Sequence, residues 1–140
     1  MADTLQLDLV SPAKLLMSES VGMVVVPGIE GYFGVLPDHM PLLSMLRPGV
    51  VSVHAGVSDA PAKQFFVDGG FAEVNPDGCT LLVDEAIAIE DLTADNIADR
   101  QSAAEERMQS AENDIERAAA ERALLIAEEM TGAMVGAATA

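Results

Sequence analysis

Two imidazoles, one thiol and a few acid pairs are the groups in this chain that could move a proton, hold a metal or attack a substrate. His39 lies in Pro37-Asp38-His39-Met40-Pro41, and His54 closes the run Val50 to His54. Nucleophilic catalysis of the Ser/His/Asp or Cys/His kind needs an imidazole beside the nucleophile, and a metal centre needs a third ligand. His39, His54 and a carboxylate would suit a small metal-binding enzyme, but no third ligand has the spacing. Both histidines therefore read as structural or interface residues. Cys79, the single cysteine, stands in CTLLV and reads as a small buried hydrophobe. With one cysteine there is no disulfide framework and no thiolate cluster, which fits a reducing compartment. Asp84-Glu85 and Glu90-Asp91 are adjacent acids, and neighbours on a strand face opposite sides, so the pairs read as solvated surface. Gly28-x-x-Gly31-x-x-Gly34 has the look of a phosphate cradle. No Lys and no helix start follow it, and the Walker and dinucleotide patterns both fail.

The elements that would position these groups begin with Leu5, Leu7 and Leu9, a period of two that predicts a strand with one buried face, ended by Ser11-Pro12. Further short runs are expected at Ala13 to Met17, Val21 to Val26, Val50 to His54, Gln64 to Val67, Phe71 to Val74 and Cys79 to Val83. Gly56 to Pro61, Asp68-Gly69-Gly70 and Asn75-Pro76-Asp77-Gly78 read as turns between them. So many short strands at this spacing predict an antiparallel sandwich or barrel. The stretch Val24 to Val51 reads as turns presented to partners: Pro27-Gly28 and Gly31 punctuate it, Gly34 allows close backbone approach, and Pro37, Pro41 and Pro48 each withdraw a donor from any ladder.

Near Ile89 the composition turns to Ala, Glu, Asp, Gln and Arg, which predicts a boundary between a β domain at 1–89 and a helical domain at 90–140. Thr93 is placed to cap a helix from Ala94 to Gln109, and Ser110 or Asn113 to start a second, through about Met130, with Gly132 as its stop and a frayed tail. Thin stripes at Ile97, Ala104, Met108 and Ala111, and at Ile115, Ala118, Ala119, Arg122, Ile126 and Met130, would bury little area. The two helices are thus expected as a weakly held hairpin, free to rearrange on another protein.

At 140 residues the chain can bury about 68–70% of its unfolded surface, enough for one proper core. A formal charge of −16 and only two lysines, Lys14 and Lys63, exclude nucleic-acid backbone binding and adhesion to anionic lipid through a basic face. The N-terminal MADTLQLDLV carries acids where a signal peptide is positive, and no apolar run approaches the roughly 20 residues of a membrane span. The expected partners are proteins.

The order V-P-G-x-E-G-x-x-G-V-L-P-x-H-x-P-L-L, L-R-P-G-V, F-x-V-x-G-G-F-x-E-V and then an acidic, Ala-rich helical pair resembles the epsilon subunit of bacterial F-type ATP synthases, whose mitochondrial counterpart is called delta. The resemblance spans essentially the whole chain. It implies a mainly β plus α protein, with an N-terminal antiparallel β-sandwich followed by a C-terminal two-helix antiparallel hairpin. It also implies a non-catalytic rotor subunit, without a cofactor, that joins the gamma subunit to the c-ring and couples proton flow to ATP synthesis at the cytoplasmic face of the bacterial inner membrane.

By this resemblance Gly28, Ile29, Glu30, Gly31, Tyr32 and Phe33 match the loop that meets the c-ring, with Tyr32 an amphipathic anchor. Ser11, His39, Pro41, Leu42, Leu43 and Ser44 match the region lying against gamma. Some family members bind ATP through an Ile/Leu-Asp-x-x-Arg-Ala motif; Asp91-Leu92-Thr93-Ala94-Asp95 keeps the Asp and lacks the Arg, so no nucleotide is expected. In the family's inhibitory form, basic residues of the hairpin approach the catalytic beta subunits of the alpha/beta head. From Asp95 to Glu129 this chain has ten acids against four arginines, a net of −6, and no lysine. The expected inhibition is weak or absent.

Overall fold

The computed structural model describes residues 4–57 and 59–139, with the backbone alone at 135–139. Met1 to Asp3 of the N-terminal reading and Ser58 of the expected Gly56 to Pro61 turn lie outside the described residues. The chain divides after Ala88 into two compact units.

The first unit holds ten strands: β1 Leu5–Val10, β2 Leu15–Val21, β3 Met23–Gly28, β4 Gly31–Val35, β5 Leu42–Leu46, β6 Gly49–His54, β7 Lys63–Val67, β8 Gly70–Asn75, β9 Gly78–Leu82 and β10 Ala86–Ala88. They are ordered β10-β7-β6-β3-β5-β8-β9-β1-β2, with β4 on β3. All pairings are antiparallel except β1 with β9. The sheet curls at the single Gly28 to Leu46 bridge, so that two layers face each other and the expected sandwich is borne out.

Alternation drives this packing. Leu5, Leu7 and Leu9 of β1, Val24 and Val26 of β3, Val51 and Val53 of β6, and Cys79 and Leu81 of β9 all turn inward into one core. No polar or charged residue is buried among the described residues.

Several local expectations change. The run Val21 to Val26 is broken at Gly22, where a Cβ would come within 2.3 Å of the Ala55 carbonyl oxygen; the backbone needs glycine to pass there. The strand expected at Ala13 to Met17 runs instead from Leu15 to Val21, because Ser11 and Lys14 exchange main-chain bonds in a turn. Pro27-Gly28 is part of β3, and not a turn. Proline is tolerated there because Pro27 bonds only through its carbonyl, to the Arg47 N–H at 2.9 Å. β4, β5 and β10 fall where turns or surface were expected. Asp84-Glu85 and Glu90-Asp91 sit, exposed, in a bend and in a single 3-10 turn at Ile89–Asp91, and not on strands.

Three turns match the sequence reading. Gly69 and Gly70 hold φ of +117° and +130°, which side chains resist. Asn75 Oδ1 accepts from the N–H groups of Asp77 and Gly78 at 2.9 and 3.0 Å, closing the β8–β9 hairpin around Pro76. The Gly56 to Pro61 segment joins β6 to β7.

The second unit holds α1 Ala94–Ser110 and α2 Asp114–Thr139, packed on each other across a three-residue link. Thr93 caps α1, its hydroxyl accepting from Asn96 N–H at 3.1 Å, and Asn113 caps α2 through Glu116 N–H at 2.9 Å. α2 does not stop at Gly132. A glycine inside a helix costs only about 1 kcal/mol relative to alanine, and the alanines around it carry the backbone on to Thr139. The buried face of α2 is also rotated from the expected stripe. Ala120, Ala127 and Met130 are buried, while Ala118, Ala119 and Arg122 are exposed and Ile115 is 83% exposed. Ile97 and Ala104 are buried on α1 as expected.

Candidate functional site

β3 and β4 form a two-residue hairpin whose tip is Ile29-Glu30, with Gly28 opposite Gly31. Gly31 holds φ +141° with open space where a side chain would be, so backbone conformation alone requires glycine there. Ile29 donates its N–H to the Met45 carbonyl at 3.0 Å, which sets the tip beside β5. Between them runs a shallow groove of about 350 Å³, lined by Gly28, Ile29, Glu30, Gly31 and Phe33 on one side and Leu42, Leu43, Ser44 and Met45 on the other. The two stretches that the sequence reading assigned to separate partners thus share one groove, and its apolar side chains stand in solvent: Ile29 is 60% and Leu43 69% exposed.

The remaining expected residues lie elsewhere. Tyr32 faces away from the groove. Its hydroxyl accepts from Val50 N–H at 3.0 Å, and the Arg47 guanidinium lies 5.4 Å from its ring centroid. The polar end of the expected anchor is therefore engaged within the chain. Gly49 makes room for that hydroxyl, which a Cβ would meet at 2.7 Å. Pro41 is exposed at the entry to β5. His39 Nδ1 lies 2.6 Å from the Met40 carbonyl, and the His39 main-chain N–H donates to the Leu36 carbonyl across a turn in which Asp38 holds φ +63°. Ser11 sits in the β1–β2 turn, hydrogen-bonded with Lys14. Gly34, expected to admit a close backbone, is open: a Cβ there meets only Met23 Sδ, at 3.6 Å.

One feature escaped the sequence reading. On the side of the sheet turned from the core, Met45 lies opposite Phe71, Phe71 opposite Leu82, Leu82 opposite Val10, and Val10 opposite Leu15. This is an apolar row across five strands, in which Met45, Phe71, Leu82 and Leu15 are each 45–57% exposed. It runs from the groove at Met45 to the turn that holds Ser11, and so links residues far apart in sequence. Contiguous exposed apolar residues on a folded domain mark a contact surface. The signal was that LLSML, GFAEV and CTLLV carry apolar residues on both faces, but only the register aligns them.

The chemical candidates do not converge on this surface. His54 Nδ1 lies 2.9 Å from the Asp59 carbonyl, and among the described residues no three His, Cys, Asp or Glu side chains come together. Burial pushes the Cys79 thiol up to about 12, leaving it protonated near neutral pH. Burial also raises Asp68, against the pull of the Glu85 N–H that its carboxylate accepts at 3.1 Å. Neither lines the groove. In the helical unit a crevice of about 210 Å³, lined by Arg100, Arg107, Ala103, Ala104, Ala123 and Ile126, is smaller than the ~300 Å³ of ordinary ligand pockets. No helix among the described residues is long and apolar enough to cross a membrane.

Residues 4–89 match the family described as ATP synthase, Delta/Epsilon chain, beta-sandwich domain. The ATP synthase epsilon chain of Paramagnetospirillum magneticum is 47% identical over 134 residues, covering 96% of this chain and 99% of its own length. That of Rhodospirillum rubrum is 46% identical over 136 residues, covering 97% and 100%. Among solved structures, a chain of the Euglena gracilis mitochondrial ATP synthase, resolved as OSCP, F1 and c-ring, superposes with a TM-score of 0.78 at 26% identity, covering 96% of this chain and 83% of that one.

Proposed function

The chain belongs to the ATP synthase epsilon family, and on that premise we propose that its sandwich is a clamp of the rotor that holds two partners through adjoining surfaces. The apolar row from Met45 to Leu15, with Leu42, Leu43 and Ser44 beside it and Ser11 at its far end, docks on the gamma subunit. The Ile29-Glu30 tip meets the c-ring. His39 and Pro41 flank the gamma contact from the β4–β5 loop. The chain works without a cofactor at the cytoplasmic face of a bacterial inner membrane, and makes and breaks no bond.

The observation that carries this reading is the row itself, about half exposed across five strands and continuous with the groove. A clamp transmits torque only if it is stiff, and a sandwich closed around an apolar core, with no polar or charged residue fully buried among the described residues, has few alternative packings. Reconstitution with the gamma subunit and c-ring tests the assignment. Stable co-purification is expected for the wild-type chain and its loss for Met45→Glu, and retention of full assembly by that variant would overturn it.

The helical arm reaches the alpha and beta subunits with an acidic, lysine-free surface that makes it a poor inhibitor. Deleting residues after Glu90 should leave coupled synthesis intact and ATP hydrolysis nearly unchanged; a several-fold rise in hydrolysis would refute this.

A further inference from the structure

Three strand edges of the sandwich are unpaired: β2 pairs only β1, β10 only β7, and β4 only β3. Such edges template a further strand unless charge, shortness or proline protects them. β2 carries Glu19, ion-paired to Lys63, and follows Lys14. β10 is three residues long between acid pairs. β4, GYFGV, carries neither charge nor proline within its five residues, and its flanking Glu30, Pro37 and Asp38 lie in the turns beyond its ends.

The groups on that edge follow from the register. Pro27 lies opposite Tyr32, has no N–H, and turns its carbonyl to Arg47 on the other side of β3. Pro27 and Tyr32 are therefore a non-hydrogen-bonded pair, and by alternation so are Val25 and Gly34. The main-chain N–H and C=O of Tyr32 and of Gly34 point away from β3, where no backbone partner meets them among the described residues. Both residues are exposed, and the outer face at Gly34 has room for a neighbour's side chain.

We propose that the outer edge of β4 is a strand-addition site that takes an extended, non-acidic main-chain segment of a neighbouring ATP synthase subunit. The inference rests on the docking function above and names a further contact for it. Two donors and two acceptors spaced two residues apart match the hydrogen-bonding face of an antiparallel strand. The segment places an apolar residue opposite half-buried Phe33 and an aromatic or β-branched one across bare Gly34. An acidic segment is disfavoured by a chain of net charge −16. The edge starts at the Ile29-Glu30 tip, so the added strand continues the same contact surface.

Amide hydrogen exchange across residues 29–36 tests this, with the full chain alone and reassembled with gamma and the c-ring. The Tyr32 and Gly34 amides should exchange quickly in the free chain and at least 100-fold more slowly after assembly. Gly34→Pro, which deletes one outward N–H but no β3–β4 bond, should weaken assembly tenfold or more, and Gly34→Ala should not. If Gly34→Pro misfolds, exchange in the wild-type chain still decides. Fast exchange at both amides in the assembled complex overturns the proposal. So does protection that rises with concentration in the free chain, which would give the edge to a second copy. Failure of the wild-type chain to co-purify is a different result and overturns the docking function itself.

Discussion

The two units of this chain are held together by different materials. The sandwich buries Leu5, Leu7, Leu9, Leu81 and a set of valines in one cluster drawn from both layers. The residues buried on α1 and α2 are Ile97, Ala104, Ala120, Ala127 and Met130, three of them alanines. At about 25 cal/mol per Å² an alanine contributes little on burial, whereas a leucine contributes about 1.5–3 kcal/mol. The sandwich is therefore the unit with more apolar burial behind it, and the hairpin is the one that less burial holds, as the clamp and arm proposed above would require.

The sharpest way to break this contrast is to thin the sandwich until it resembles the hairpin. Leu81→Ala, at a fully buried site between β1 and β8, should cost about 2–5 kcal/mol and abolish assembly. Denaturant unfolding of the wild type should show two transitions, and this variant should move only the later one. Next comes a change to the surface and not to the core. Met45→Glu leaves the core intact but places a charge in the apolar row, and should weaken binding to gamma about 100-fold, or roughly 2.7 kcal/mol, without moving either transition. A loss of stability in that variant would show that the row is part of the fold and not a surface.

What was legible in the sequence follows the same division. Alternation in LQLDL and the turn signals around Asn75 and Gly69 marked strands correctly, because a buried Leu/Val face and a positive φ are local demands. β4 and β5 escaped because Pro and Gly dominate their neighbourhood. Whether proline breaks a strand depends on which way its missing N–H would have pointed, and that is a matter of register. The groove residues could be named from the family pattern, but Phe71, Leu82 and Leu15 could not be joined to them without knowing which strands are neighbours. In the helices, Ala118 and Ala119 are as apolar as Ala120. With alanine on every side of α2, no stripe declares its orientation.

The single thiol gives a probe of the sandwich alone. The folded-state value of Cys79, about 12, lies above its ordinary 9.0, so between those limits the folded chain holds a proton that the unfolded chain has lost. Stability is fully present below pH 9 and should fall by about 1.4 kcal/mol for each pH unit above it, until pH nears 12. Cys79→Ala should remove that part of the slope from the sandwich transition and leave the hairpin transition as it was.

Smaller still are effects at single backbone positions. Thr93→Ala removes the hydroxyl that caps α1 and should cost the hairpin about 1 kcal/mol, seen as an earlier first transition with the second unmoved.

The last contrast lies within the sandwich, between the positions where glycine holds a positive φ, Gly31, Gly69 and Gly70, and the one where aspartate does. Asp38 holds φ +63° at the third position of the Leu36–His39 turn, behind Pro37, where glycine or asparagine is usual. The left-handed backbone costs a non-glycine residue about 1–2 kcal/mol, less for aspartate, while glycine loses about 0.5–1 kcal/mol in chain entropy on folding. Asp38→Gly should therefore stabilise the sandwich by no more than about 0.5 kcal/mol and keep the Asp38 N–H to Pro76 carbonyl bond. If the aspartate is there to fix the loop that carries His39 and Pro41, the same change should raise the dissociation rate from gamma even as the melting temperature rises. A variant that gains stability and binds as before would show that the strained turn serves only to connect β4 to β5.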